Sequence, residues 1–250
     1  HDAFLLEKDV MKKLIRGFLD HVEDPERRLD HSPFDLDSEA DYGPRPLASQ
    51  SIYEGHRVDY EMIADLIPEG KRVLDIGCAD GALLQLLQNK RNVEGMGLEL
   101  AQGNIVSCVR RGVSVVQADI DKGLSALPDQ SFDYVVLSMT LQVIEKPEFV
   151  LSEMLRVGKQ CIVSFPNFGF WRVRAQTALG KAPVTRNLPY SWYNTPNRHV
   201  LSIRDFREFC HHHNIRILKE FPLGSRGAAL TARINPNLFA EEALFVITKQ

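Results

Sequence analysis

The chain has 250 residues, 44% hydrophobic and 25% charged, with a formal net charge of −3. That composition suits one sizeable domain with an appendage, and it excludes wholesale disorder and a bulk nucleic-acid binder. Charge is uneven: residues 1–50 carry 12 acidic and 7 basic residues, net −5, and the remainder 21 and 23, net +2.

From Phe4 to Val22 the apolar residues Leu6, Val10, Met11, Leu14, Phe18 and Val22 fall at helical spacing, with Lys12, Lys13 and Arg16 opposite. This helix packs either on the body of the protein or against a second copy or partner. Glu23 to Gln50 holds Pro25, Pro33, Pro44 and Pro46 among acidic residues, the mark of a linker or surface-wrapping arm. Residues 1–50 thus read as an acidic helical arm, and 51–250 as the main domain.

A helix over Ser51–Ile67, stopped by Pro68-Glu69-Gly70, leads into an alternation of strands and helices. Strands are expected at Arg72–Ile76, Glu94–Leu98, Ser114–Gln117, Phe132–Leu137 and Cys161–Phe165. Helices are expected at Ala82–Asn89, Gln102–Arg111 and Val143–Val157, the last interrupted at Pro147. Such a rhythm implies a doubly wound, mostly parallel α/β sheet. After the fifth strand Asn167–Ser202 is long, aromatic and rich in turn residues. A helix at Ile203–His213 and strands at Ile215–Phe221 and Ala243–Thr248 complete a sheet of seven strands.

The cysteines, Cys78, Cys108, Cys161 and Cys210, form no CxxC pair, which fits a reducing cytoplasm rather than a disulfide or thiolate zinc framework. No apolar run approaches the ~20 residues of a membrane span. His211-His212-His213 point in different directions on a helix and cannot converge on one metal ion.

In an open parallel sheet a ligand sits beyond the carboxyl ends of the strands, where strand order reverses. Strand one ends in Asp75-Ile76-Gly77, strand two in Gly97-Leu98-Glu99, strand three in Ala118-Asp119, so three carboxylates reach one edge. The turn Gly77-Cys78-Ala79-Asp80-Gly81 is expected to bring backbone N–H groups and a helix start close to the ligand. It lacks the lysine of a Walker loop and does not spell GxGxxG. Its acidic character suits a cationic ligand better than a pyrophosphate.

This set resembles the class I S-adenosylmethionine-dependent methyltransferases, whose acidic-x-Gly-x-Gly-x-Gly motif is matched by Asp75, Gly77, Ala79 and Gly81, with alanine in place of the middle glycine. The resemblance implies a Rossmann-like fold and a site for S-adenosylmethionine or S-adenosylhomocysteine. It assigns Asp75, Gly77, Cys78, Ala79 and Gly81 to the methionine end, Glu99 and Leu100 to the ribose, and Asp119 and Ile120 to the adenine, with Ser138 beside them.

More specific stretches are Ser131–Gln142, Glu153–Gly158, Val163–Gly169, Leu188–Asn197 and Pro236–Phe239. Together they resemble the methionine biosynthesis proteins of the MetW family over about Tyr60 to Gln250. Phe170 stands where that family leads one to expect histidine, and Asn194 where aspartate is expected. The resemblance implies a role beside homoserine O-acetyltransferase, as a supporting or activating partner, and brings no methyl acceptor with it.

Methyl transfer requires an aligned nucleophile and often a base. Candidates above the pocket are His199, Tyr193 and Arg172, with Tyr190, Arg174 and Asn167. The aromatic segment 167–202 reads either as a lid over a substrate or as a protein-binding surface. No nucleophile elbow is present, so the acetyl transfer is not expected in this chain.

Overall fold

Three consecutive side chains show how the molecule is layered. In the strand Phe132–Ser138, Val135 and Leu137 face one side of the sheet and Val136 the other, and all three are fully buried. Both faces are apolar because helices cover both. The computed structural model describes residues 58–224 and 234–250. The expected acidic arm, its linker and the beginning of the helix from Ser51 lie outside the described residues.

The elements are α1 (Val58–Leu66), β1 (Arg72–Ile76), α2 (Ala82–Arg91), β2 (Glu94–Glu99), α3 (Gln102–Arg110), β3 (Ser114–Gln117), β4 (Phe132–Ser138), α4 (Pro147–Val157), β5 (Gly158–Pro166), α5 (Trp171–Ala178), α6 (Ile203–His212), β6 (Ile215–Leu223), α7 (Pro236–Phe239) and β7 (Glu242–Lys249). The strands form one sheet in the order β3-β2-β1-β4-β5-β7-β6. β1 to β5 are parallel, and β7 runs antiparallel to both β5 and β6. This is the expected mostly parallel, seven-stranded sheet, and its order reverses between β1 and β4.

On one face α1, α2 and α3 contribute Ile63, Leu84 and Cys108 to a core with Val73, Val136, Ile162 and Leu244. On the other, α4 and α6 contribute Leu151, Met154, Phe206 and Cys210 to a core with Leu74, Val135, Phe165 and Phe245. The Phe206 ring lies 5.1 Å from Phe165 and 4.8 Å from Phe245. A capping box starts α6: Ser202 Oγ accepts from Asp205 N–H and Asp205 accepts from Ser202 N–H. His213, just past its end, stacks on Phe209 and sits 3.5 Å from Glu148, while His211 and His212 meet edge to face.

Two elements differ from expectation. The helix expected from Val143 begins at Pro147, and residues 141–143 form a separate 3₁₀ turn. Proline lacks an N–H and fits only the first turn of a helix, so it starts this one rather than interrupting it. The segment after β5 contains α5, which buries only Val173 and therefore shows no apolar stripe. Among the described residues no helix is long and apolar enough to cross a membrane.

Arg156, near the end of α4, fastens the loop before β4. Its guanidinium donates to Glu153, Asp129 and the carbonyls of Leu124 and Leu127, and Glu153 also accepts from Leu124 N–H. The hydrogen bond from Arg156 holds the Glu153 carboxyl below the usual carboxylate range, against its burial. Arg156→Ala is expected to destabilise by about 2–3 kcal/mol, as two carbonyls and a mostly buried carboxylate lose their donor. A depressed pKa stabilises above the unfolded value, about 4.3, and that contribution is lost as pH falls. Denaturant titrations at pH 7 and below pH 4 check this: the gap between variant and parent narrows in acid.

Candidate ligand site at the carboxyl edge of the sheet

The chain leaves β1 through a turn in left-handed conformations, Gly77 at φ +67°, Ala79 at +49° and Gly81 at +79°. The N–H groups of Gly77 and Cys78 donate to the Leu98 carbonyl at 2.8 and 3.1 Å, and that of Gly81 to the Cys78 carbonyl at 2.9 Å. Ala79 N–H donates to Glu99 Oε2 at 2.9 Å, and Ala82 N–H to Asp80 Oδ1 at 3.2 Å. The amides of Gly77, Cys78 and Ala79 thus fasten the turn to the end of β2, and those of Gly81 and Ala82 close it on itself. Backbone donors in so tight a turn find protein acceptors first, because β2 lies alongside β1 and supplies them.

Beneath the turn lies a thiol pair. Cys78 Sγ and Cys108 Sγ are 3.8 Å apart, and the Cys108 thiol also contacts the Ala79 carbonyl at 3.1 Å. Burial pushes both thiols up from their ordinary pKa. Cys78 packs across Gly97, where a Cβ would strike its sulfur. Cys78 is 3% exposed, and its side chain belongs to the core on that face of the sheet.

The three expected carboxylates differ in surroundings. Asp75 and Glu99 are 2% and 5% exposed. Glu99 Oε1 accepts from the N–H groups of Leu100 and Ala101 at 2.9 and 2.8 Å, so with Ala79 three amides converge on this carboxylate. Asp119 is partly exposed; Oδ1 accepts from Asp121 N–H, and Oδ2 lies 3.4 Å from Lys122 Nζ. Between them Leu100 is 44% exposed and Ile120 half-buried, an apolar rim at the edge. Asp121 accepts from the N–H groups of Glu145 and Lys146, which joins this rim to the segment after β4.

Around Ser138, already a candidate, the end of β4 gathers Asp59, Met139, Thr140, Gln142 and Ser164, which local pattern did not mark. Ser138 Oγ donates to the buried Asp59 at 2.8 Å and accepts from Ser164 Oγ at 3.3 Å. Met139 is left-handed at φ +52°, held by Ser164 at its N–H and by the Gln142 side-chain amide at its carbonyl. Thr140 closes over the turn: a Cβ at Gly77 would come within 3.0 Å of its methyl group. Gln142 is 5% exposed, and its Oε1 has no hydrogen-bond partner among the described residues. Thr140 and Gln142 belong to the stretch Ser131–Gln142, but the approach of Thr140 to Gly77 is long-range and left no local mark. Asp59 showed only as one polar position in a helix.

Each catalytic candidate has contacts of its own. His199 Nε2 bonds the Ile144 carbonyl at 2.9 Å, which orients the ring. Tyr193 is 68% exposed and meets Trp192 edge to face. Arg172 lies over the Trp171 ring at 5.4 Å, and Arg174 donates to the Gly169 carbonyl. Tyr190 is half-buried, which raises its phenol pKa. Asn167 is 1% exposed with its amide fully engaged in the scaffold. Phe170 is buried with Val173 and Leu188 in a small core of the cap, and Asn194 is exposed.

The turn separates two kinds of substitution. Ala79→Gly is expected to leave stability within about 1 kcal/mol, since release of left-handed strain offsets the added freedom of the unfolded chain. Gly77→Ala adds a side chain in a left-handed conformation against Thr140 and is expected to cost about 2 kcal/mol. Parallel thermal melts of both variants check the contrast.

Residues 57–247 match the family described as methionine biosynthesis protein MetW. The chain is 33% identical over 261 residues to the bifunctional methionine biosynthesis protein MetXA/MetW of Rhodopirellula baltica, and it spans 39% of that relative's length. Among solved structures it is similar to an S-adenosylmethionine-dependent methyltransferase from Mesorhizobium loti (TM-score 0.57, 18% identity, 76% of this chain and 96% of that one). A possible histamine N-methyltransferase from Thermotoga maritima is comparable (TM-score 0.55, 18%, 77% and 87%). So is the [4+2]-cyclase SpnF (TM-score 0.55, 16%, 76% and 79%). At these identities the solved structures speak to the fold, which is that of the class I methyltransferases.

Proposed function

Because the chain belongs to the MetW family of methionine biosynthesis proteins, we propose that it binds S-adenosylmethionine or S-adenosylhomocysteine and acts as an accessory, regulatory partner of homoserine O-acetyltransferase. Asp75, Gly77 and Thr140 border the methionine end of the ligand, Glu99 and Leu100 the ribose, and Asp119 and Ile120 the adenine. An acid-lined edge with an apolar rim suits a ligand that pairs a sulfonium and an ammonium with a flat base. The four cysteines are free and buried, in keeping with a cytoplasmic protein.

The observation that carries the accessory reading is how the candidate residues above the pocket are used. Asn167 is an amide held by the scaffold and no base, Arg172 lies over Trp171, and Tyr193 stands exposed against Trp192, so among these only His199 keeps a proton acceptor, at Nδ1 when Nε2–H donates to the Ile144 carbonyl. The likeness to a cyclase illustrates that this fold does not fix one chemistry. The relative that carries MetXA and MetW in one name supports the partnership. Calorimetry with both ligands tests the pocket: binding of at least one is expected, and no heat together with no thermal shift overturns it. Mixing with the acetyltransferase tests the partnership. A change in its rate that depends on ligand is expected, because coupling between two binding events is reciprocal; unchanged rate and no complex overturn it.

A second reading, an S-adenosylmethionine-dependent methyltransferase acting on a small molecule, is favoured by the strained Met139 beside the buried Gln142 at the end of β4. Such strain gathers at functional sites. S-adenosylhomocysteine formed with a member of a metabolite panel would establish it.

A further inference from the structure

The cap between Asn167 and Ser202 has a composition unlike the rest of the chain. It carries five basic residues, Arg172, Arg174, Lys181, Arg186 and Arg198, and no acidic one, in a protein whose net charge is −3. Of these, only Arg198 forms an ion pair with a carboxylate among the described residues, to Glu145 at 3.7 Å. Arg172, Arg174, Lys181 and Arg186 are exposed. On the same cap Trp192 and Tyr193 are 77% and 68% exposed. Neither belongs to the cap's own small core, which is built from Phe170, Val173 and Leu188 with Phe168 and Trp171 against them. That core also sets the placement: Leu188 docks the loop carrying Arg186, Trp192 and Tyr193 onto the helix carrying Arg172 and Arg174.

A solvent-exposed tryptophan–tyrosine pair on the same cap as arginines without a paired carboxylate among the described residues has the composition of interface hot spots, where Trp, Tyr and Arg predominate. We propose that this basic, aromatic face of the cap is the docking surface for homoserine O-acetyltransferase, and that it receives an acidic patch of that enzyme. The proposal rests on the partnership argued above and adds the surface through which it acts. Two observations select this occupant. Positive charge with one ion pair to a carboxylate among the described residues suits an acidic counterpart. The match to MetXA/MetW leaves about three fifths of that relative outside the aligned segment, so the partner there is tethered to this domain.

The test is biolayer interferometry of the full chain against the purified acetyltransferase at two salt concentrations, with Trp192→Ala and Arg186→Glu. Thermal melting and S-adenosylhomocysteine titration of each variant run alongside. Trp192→Ala is expected to weaken binding at least 30-fold, mostly through faster dissociation, with an unchanged melt. Arg186→Glu is expected to slow association about tenfold at low salt and less at high salt. If the parent protein binds the enzyme and both variants bind equally well, the surface is wrong and the partnership stands. If the parent protein does not bind, the partnership itself fails. If Trp192→Ala changes the chain's own oligomeric state, or Arg186→Glu abolishes binding to an oligonucleotide but not to the enzyme, the face serves another occupant and the proposal is overturned.

Discussion

Replacing Asn167 by leucine is expected to destabilise the protein by about 3–4 kcal/mol and to lower its melting temperature by roughly 10 °C. The side-chain amide donates to the carbonyls of Asn237 at 3.2 Å and Ala240 at 2.8 Å. Its oxygen accepts from the N–H groups of Gly169 at 2.9 Å and Ile203 at 3.3 Å. One buried side chain thus holds the beginning of the cap, the first residue of α6 and the turn of α7 against the end of β5. Gly169 shares the tightness, since a Cβ there would lie 2.7 Å from the Asn237 carbonyl. Leucine leaves two donors and two acceptors without partners in a space closed to water.

Asn167→Asp keeps the shape and sharpens the test. The carboxylate would face two carbonyls in place of the amide donor, so its pKa in the folded protein is raised. A raised folded pKa means that stability is fully present below the unfolded value, about 3.9, and is lost as pH rises through the folded one. The variant's deficit relative to the parent should therefore widen from pH 4 to pH 7, and proteolysis should cut first within residues 179–187. A deficit independent of pH would mean that the amide donors contribute little.

The sheet was open to sequence reading because β1, β4 and β5 carry apolar runs and short strand segments alternate with helical ones between turn residues, and the observed strands overlap every expected one. Local periodicity carries that much. Asn167 shows where it stops. Its position just past a strand marked it as a chemical candidate, whereas three of its four partners lie 36 to 73 residues further along the chain. Phe170, which stands where histidine was expected, belongs to a small core with Val173 and Leu188, a contact that no local pattern marks. For α5 the missing signal was amphipathicity, since a helix that buries one residue has no stripe to read.

Glu99 was placed at the right edge, and its second task was not legible. Glu99→Ala is expected to destabilise by about 3 kcal/mol in chemical denaturation, because the N–H groups of Ala79, Leu100 and Ala101 lose their acceptor together. Glu99→Gln should cost about 2 kcal/mol, since an amide turns a donor toward one of those three N–H groups. Loss of ligand binding in either variant then reports a loosened turn as much as a lost contact. Asp119→Asn is the cleaner probe: Asp119 is partly exposed, and affinity should fall while the melt stays within about 1 kcal/mol. The acceptor count carries a finer consequence for the proposed ligand. A carboxylate offers about four lone-pair sites, and three are taken by backbone, so one remains for the ribose. Only one of the two ribose hydroxyls can then bond Glu99 directly. Of 2′-deoxy and 3′-deoxy S-adenosylhomocysteine, one should bind about tenfold more weakly than the parent ligand and the other nearly as well. Equal losses for both would mean that the Ala79 amide gives way when ligand binds, and that the turn opens to receive it.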